Sequence, residues 1–152
     1  MGGYNPTFGD LIIKLYLQNY YYHEYDKDIE NILKRYKENH YYVAIAYYII
    51  SWKYHRVDET KERYWLEESI KMDPGMVNPY IQIGQNYYEK EQFEKAKKYY
   101  SVAVRNVKST EFSEYDAIDP KAFIDEHITG IKLSKYNYDH LQTTIKKLDF
   151  IG

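Results

Sequence analysis

The sequence predicts an all-α protein built from antiparallel helical hairpins. The clearest evidence is the segment Asn78–Val104, where apolar and small residues recur every three or four positions, as on the buried face of an amphipathic helix. They fall into two groups: Tyr80, Ile83, Gly84 and Tyr87, then Phe93, Ala96, Tyr100, Ala103 and Val104. A polar break at Glu89–Gln92 separates the groups, so we expect two helices joined by a short turn.

Capping residues predict where the other helices begin. Thr7, Asp26 or Asp28, and Asp58 suit the N-cap because a side-chain oxygen can accept a hydrogen bond from a first-turn N–H. Pro79 suits the first turn of a helix, where its missing N–H costs nothing. The predicted helices run from about Phe8 to Tyr22, from Asp26 or Asp28 to Glu38, from Tyr41 to His55, and from Asp58 to Met72.

The pattern changes after Val107. Ser109–Asp119 is a polar, acidic connection, and Asp119-Pro120 suits an N-cap followed by the first helical residue. We expect a helix from there to about Leu133 and another over about Tyr138–Phe150, which together form a divergent or capping hairpin at residues 120–150. A cap would cover the open end of a stack of repeats. Alternatively, the chain is a fragment of a longer array.

The segment Asn78–Val104 resembles a tetratricopeptide repeat. The residues that match the pattern of this family are Tyr80, Ile83-Gly84, Tyr87, Ala96, Tyr100 and Ala103. Moving back by the family's period of about 34 residues places Leu66 and Ser69 on Tyr100 and Ala103, and a second shift places Ile32 on Leu66. The departures from the pattern are Ile50, Lys53 and Glu62, which replace its Gly, Tyr and small residue.

The resemblance implies a right-handed α-solenoid of stacked hairpins. It divides a single domain, residues 1–152, into repeats at about 8–40, 41–74 and 77–108, followed by the divergent hairpin. Gly84 and Ala96 would let the two helices of the third repeat approach closely. Ala103 would leave room for the next repeat.

Composition and charge narrow the function classes. The chain has 21 Lys+Arg, 23 Asp+Glu and a net charge of -2, which argues against nucleic acid as a partner because such binders rely on basic residues. The absence of cysteine excludes disulfides and thiolate metal sites. The apolar stretch Tyr41–Trp52 is too short to span a bilayer, and the start lacks the features of a signal peptide. We expect a cytoplasmic protein without membrane insertion.

No motif in the sequence indicates catalysis. Phosphate-binding glycine loops, nucleophile elbows and zinc-protease helices are all missing. The histidines are scattered along the chain and are expected to be surface or turn residues: His23, His40, His55, His127 and His140. Asp125-Glu126-His127 is expected to be a solvated helix face. We therefore predict that the chain is not an enzyme and binds neither a metal nor a cofactor.

In the tetratricopeptide family the first helix of each repeat lines a concave groove. The corresponding stripes, spaced three, four and three residues apart, are Asp10, Ile13, Leu17 and Tyr20; Ala44, Tyr47, Ser51 and Tyr54; and Asn78, Ile81, Gln85 and Tyr88. Tyr20, Tyr54 and Tyr88 lie one repeat apart and would form a ladder of phenols, which combine rigid apolar area with a hydrogen-bonding hydroxyl. The alternative is that these tyrosines only pack against neighbouring helices.

These stripes predict a protein–protein interaction scaffold, such as an adaptor, that binds a peptide or a partner helix in a tyrosine-lined groove. Co-chaperones of the tetratricopeptide family grip a C-terminal carboxylate with Lys, Asn and Arg. On the corresponding stripes of this chain Asn78 is the only suggestive residue, so a less charged ligand is expected. Two alternatives stay open. The chain could be a structural subunit that self-associates or joins a larger complex, or a sensor of a peptide or small molecule.

Overall fold

The computed structural model of the chain describes residues 7–21, 26–108 and 124–151, with side chains for 7–16, 27–108 and 124–150. Its helices are α1 (Phe8–Tyr21), α2 (Asp26–Arg35), α3 (His40–Ser51), α4 (Glu59–Met72), α5 (Asn78–Glu89), α6 (Phe93–Asn106) and α7 (Lys135–Ile151). A 3-10 turn, Trp52–Tyr54, extends α3, and a π-helical turn, Ile124–Ile128, precedes α7. Every regular element in the described ranges is helical, which confirms the all-α prediction.

Three of the predicted start signals, two caps and one proline, lie at the starts of helices. Thr7 and Asp10 form a reciprocal pair at the start of α1, in which each backbone N–H donates to the other side chain, at 3.1 and 3.2 Å. The Asp58 carboxylate accepts from Lys61 N at 3.1 Å at the start of α4. Pro79 lies in the first turn of α5. The sequence therefore locates these helix starts to within a residue or two.

Helices α5 and α6 form a closely packed apolar hairpin. Tyr80 and Ile83 of α5 and Ala96, Tyr100 and Ala103 of α6 are all buried. Gly84 is required for this approach. A Cβ atom at Gly84 would lie 2.7 Å from the Tyr100 ring and 3.3 Å from the carbonyl oxygen of Ala96. The small-residue pattern in the sequence thus corresponds to real helix–helix contact.

Helices α3 and α4 form a second hairpin with a more polar interior. Leu66 and Ser69 of α4 are fully buried, and the Ser69 hydroxyl donates to the Ala44 carbonyl at 2.7 Å. Glu62 of α4 is buried too, although it stands where α6 has Ala96 one period of about 34 residues later. In this hairpin a carboxylate occupies the position that a methyl group holds in the other.

The two hairpins contact each other through α4 and α5. The Arg63 guanidinium lies 4.3 Å from the centre of the Tyr87 ring, a cation–π contact. The Asn86 amide donates to the Glu62 carboxylate at 3.1 Å. Ion pairs join the turn regions, with Lys90 Nζ 2.8 Å from Glu59 and Arg56 3.7 Å from Glu89. The turns of both hairpins therefore lie on the same side of the molecule.

The segment from the π-helical turn to the start of α7 packs against the N-terminal helices. Ile124 and Ile128 are buried in one cluster with residues of α1, α2 and α3. The Tyr41 hydroxyl donates to Asp125 at 3.3 Å. The Thr129 carbonyl accepts from two backbone N–H groups at the start of α5, those of Val77 at 3.0 Å and Asn78 at 2.8 Å. We call residues 124–134 the crossing segment.

The predicted helix reaching Leu133 is wrong in its C-terminal part. Helical structure ends at Ile128, and Gly130 has a φ of 75°, a left-handed conformation that does not continue a helix. The helix predicted from about Tyr138 begins earlier, at Lys135. The predicted cap at Asp119-Pro120 lies outside the described residues. Of the helices in the described ranges, none is both long and apolar enough to cross a membrane.

Candidate binding cleft

A cleft of about 480 Å³ separates α5 from α7. One wall is the complete stripe predicted on α5: Asn78, Ile81, Gln85 and Tyr88. The other wall is a polar stripe on α7: Asn137, His140, Thr144 and Lys147. The buried side chains of Tyr100, Leu133 and Leu141 supply its apolar base. We call this site the α5–α7 cleft.

The stripe on α5 faces the cleft because the other faces of the helix are already occupied. Tyr80 and Gly84 pack against α6, while Gln82 and Asn86 make polar contacts with His55 and Glu62 on the side of the α3–α4 hairpin. The remaining face, from Asn78 to Tyr88, extends for about 15 Å along the axis at 1.5 Å per residue. That length matches four or five residues of an extended peptide, at about 3.3 Å each.

The two ends of the α5 stripe differ in chemistry. At one end the Asn78 amide donates to the Ile128 carbonyl at 2.7 Å, and a Cβ on Gly130 would collide with this amide. Asn78 therefore holds the crossing segment in place. At the other end Tyr88 is 40% exposed and its ring meets Phe93 at 5.5 Å, edge to face. The open aromatic surface of the cleft is thus at the Tyr88 end.

The α7 wall supplies hydrogen-bonding groups and positive charge. Lys147 is exposed, His140 stacks on Tyr136 with ring centres 6.5 Å apart, and Thr144 donates to the His140 carbonyl at 3.0 Å. Among the described lining residues of the cleft there is no carboxylate. The cleft can therefore accept apolar groups along α5, and neutral or anionic acceptors along α7.

The stripe predicted on α3 does not join this cleft. The Tyr47 ring lies 5.4 Å from Trp65 of α4, and Ser51 is only 1% exposed. The Tyr54 ring lies beside Lys61, whose Nζ is 5.6 Å from its centre. Tyr47 thus packs against the partner helix of its own hairpin, and the buried Ser51 donates to the Tyr48 carbonyl within α3.

The stripe predicted on α1 is only partly described. Ile13 is half-buried and packs against the N-terminal core cluster. Leu17 and Tyr20 lie in the last turns of α1, and their side chains are outside the described part of the chain. The structure therefore unites the four predicted residues of the third repeat and separates them from Tyr47 and Ser51. The partner-binding role of all three stripes stays a prediction.

Sequence reasoning missed the α7 wall of the cleft. Its residues have the same three, four, three spacing as the α5 stripe, so a polar helix face could have been identified. The direction of that face depends on the crossing segment, which the periodicity does not reveal. Within the described ranges, no group of three or more His, Asp or Glu side chains is arranged to hold a metal ion.

Comparisons with known proteins leave the family open. No family model, no curated protein and no solved structure matches this chain. The similarity to tetratricopeptide repeats therefore rests on the sequence pattern alone.

Proposed function

We propose that the chain is an interaction module of the tetratricopeptide type, a solenoid of helical hairpins that binds an extended peptide or a partner helix in the α5–α7 cleft. This proposal depends on one observation: the stripe that the repeat spacing predicts on α5 lines the α5–α7 cleft. All four residues selected on α5 from the repeat spacing line one cleft, opposite a polar stripe of matching period.

The relation between the two hairpins supports a solenoid. In the α3–α4 and α5–α6 hairpins, the first helix is followed by a turn with one residue of positive φ, Arg56 at 61° and Glu91 at 60°. The same turn regions are bridged by the ion pairs Lys90–Glu59 and Arg56–Glu89. Hairpins stacked in one direction, with their turns together, are what a repeat array requires.

The lining of the cleft defines the partner that it would prefer. Ile81 and Tyr88 offer apolar and aromatic contact, while Asn137 and Lys147 can donate hydrogen bonds from the facing wall. A short segment with apolar side chains on one face and neutral or acidic groups on the other fits this arrangement. The cysteine-free sequence suits a reducing, cytoplasmic setting, which is part of the proposal.

Selection from a random peptide library, followed by affinity measurements on the full chain, tests the proposal. Ile81→Asp and Tyr88→Ala should weaken the selected peptides by about tenfold or more, as expected for contacts at the centre of an interface. Tyr64→Ala is the matched control, because Tyr64 is 55% exposed on α4, away from the cleft. Peptides that bind the cleft variants and the unaltered chain equally well would contradict the assignment.

Self-association is a second candidate function, favoured by two exposed aromatic side chains on α7. Tyr136 is 79% and Phe150 is 95% exposed, at opposite ends of the helix. Sedimentation at several concentrations tests this alternative. A concentration-dependent dimer that Phe150→Asp abolishes would favour a structural subunit, whereas a monomer at all concentrations would reject it.

A further inference from the structure

A second cavity, of about 400 Å³, lies between α1, α3 and the start of α4, with Gln82 of α5 and His127 of the crossing segment also in its lining. Three aromatic side chains line it: Tyr16 of α1, Tyr48 of α3 and Trp52 of the 3-10 turn. The ring of Trp52 is nearly perpendicular to both tyrosine rings, at 78° to Tyr16 and 79° to Tyr48, with centres 5.9 and 5.4 Å apart. We call this cavity the aromatic pocket.

The aromatic pocket also contains a buried carboxylate. The Glu62 side chain is only 4% exposed. One of its oxygens accepts from the Asn86 amide at 3.1 Å, and the other lies 2.7 Å from His55 Nδ1. An amide carries no charge, and an imidazole carries a full positive charge only when it is protonated. Hydrogen bonds therefore solvate this carboxylate, but neither donor is a permanent cation.

A buried carboxylate without a permanent cation is costly, since burial penalises an unpaired charge. Aromatic faces carry negative electrostatic potential and attract cations, most strongly those with diffuse charge. Burial raises the pKa of Tyr48 to about 12, so its phenol stays neutral at physiological pH. The aromatic lining and the carboxylate therefore both favour a cationic ligand.

We propose that the aromatic pocket binds an organic ammonium group, held between the Tyr16, Tyr48 and Trp52 rings with its charge opposite Glu62. A methylated ammonium suits the site best, because its methyl groups contact the rings while its charge needs few hydrogen-bond acceptors. The volume of the pocket lies within the usual range of small-ligand sites, about 300–1,000 Å³. His55, whose side chain is 40% exposed, marks an edge open to solvent.

The proposal is independent of peptide binding in the α5–α7 cleft, since the described linings of the two cavities share no residue. Two kinds of ligand carry such a group: a small quaternary ammonium ion, and the trimethylated side chain of a lysine in a peptide. Both place a trialkylammonium group on a flexible stem. The open edge beside His55 leaves room for such a stem.

The test uses the full chain with Trp65→Phe, which leaves Trp52 as the sole tryptophan. Tetramethylammonium, choline and a trimethyllysine peptide are titrated while Trp52 fluorescence is recorded. The neutral carbon analogue of choline, 3,3-dimethylbutanol, is the isosteric control. We expect a saturable change with the cations and binding about tenfold weaker for the neutral analogue, in line with the strength of desolvated cation–π contacts.

Two variants in the Trp65→Phe background test the residues. Glu62→Gln keeps the shape and a hydrogen-bonding oxygen but removes the charge, and Tyr16→Leu removes one ring. Each should weaken cation binding about tenfold, while Glu68→Gln, on the same helix, should not; circular dichroism checks that all remain folded. Tighter binding of the trimethyllysine peptide identifies a methylated lysine side chain as the ligand. Equal affinity for choline and the peptide identifies a small molecule. No saturable response, or equal affinity for the neutral analogue, would overturn the proposal.

Discussion

The two central hairpins have the same topology but different interiors. In α5–α6 the close approach depends on Gly84, whose missing side chain makes room for the Tyr100 ring. In α3–α4 the position equivalent to Ala96 is Glu62, which is also buried and is hydrogen-bonded to its neighbours. One hairpin is held by apolar packing, and the other combines apolar packing with a buried polar network. The same backbone arrangement therefore tolerates both, but the two should respond differently to mutation.

The largest effect is expected from Gly84→Val. The new side chain would overlap the Tyr100 ring, which is itself buried, so the helices must separate. We expect the free energy of unfolding to fall by about 3 kcal/mol, at the upper end for overpacking. Urea denaturation measures this, with Lys98→Val on the exposed face of α6 as the control for a β-branched helix residue. Equal losses in both variants would show that low helix propensity, rather than overlap with the Tyr100 ring, destabilises Gly84→Val.

In the other hairpin, Glu62→Ala tests the polar network. Removing the carboxylate leaves the Asn86 amide without the acceptor it has now and opens a gap beside His55. We expect a loss of about 2 kcal/mol, the usual cost of an unsatisfied buried group. Glu62→Gln should lose less because its amide oxygen can still accept from Asn86. If Glu62→Ala were neutral or stabilising, apolar packing alone would hold both hairpins.

Alkaline pH should weaken both hairpins through one buried phenol in each. Burial raises the pKa of Tyr48 and of Tyr100 to about 12, from an ordinary value of 10.0. The unfolded chain therefore loses these protons first. The contribution to stability is intact below pH 10 and is lost as the pH rises from 10 through 12.

Urea denaturation between pH 8 and 11.5 measures this decline. Tyr48→Phe and Tyr100→Phe should each make the free energy of unfolding less dependent on pH in the alkaline range. A Tyr48→Phe chain with an unchanged pH dependence would mean that the Tyr48 phenol ionises equally easily in the folded and unfolded states.

The smallest effect is expected where the two hairpins meet. Lys90 and Glu59 form an ion pair at 2.8 Å, but both side chains are nearly half exposed, at 49% and 42%. A double-mutant cycle with Lys90→Ala and Glu59→Ala should give a coupling free energy of about 0.5 kcal/mol that disappears at high salt. A coupling above about 2 kcal/mol would indicate a much more rigid junction than exposed charges usually make.

The α5–α6 hairpin could be predicted because its determinants are local and periodic. Gly84, Ala96 and Ala103 are small residues at helical spacing, and Pro79 lies at the start of α5. Glu62 was read as a departure from the repeat pattern. Its burial depends on His55, across the turn, and Asn86, from another hairpin, and no periodicity marks such partners.

The candidate sites were predictable only in part. The α5 stripe was identified because the core face of α5 is clear from the sequence, which leaves the opposite face by elimination. On α3 both faces are apolar or aromatic, so the packing of Tyr47 against Trp65 and the burial of Ser51 could not be deduced. Tyr48 and Trp52 are four residues apart on one helix face, a visible signal, but Tyr16 joins them only through the packing of α1.

The crossing segment changes what kind of unfolding the molecule should show. In an ideal repeat array each unit contacts only its neighbours, so the ends fray first and a terminal unit can be deleted at little cost to the rest. Here Asp125 bonds to Tyr41, and the Thr129 carbonyl binds the first N–H groups of α5. Removing the C-terminal part would therefore expose the N-terminal core as well, and the chain should unfold as one cooperative unit.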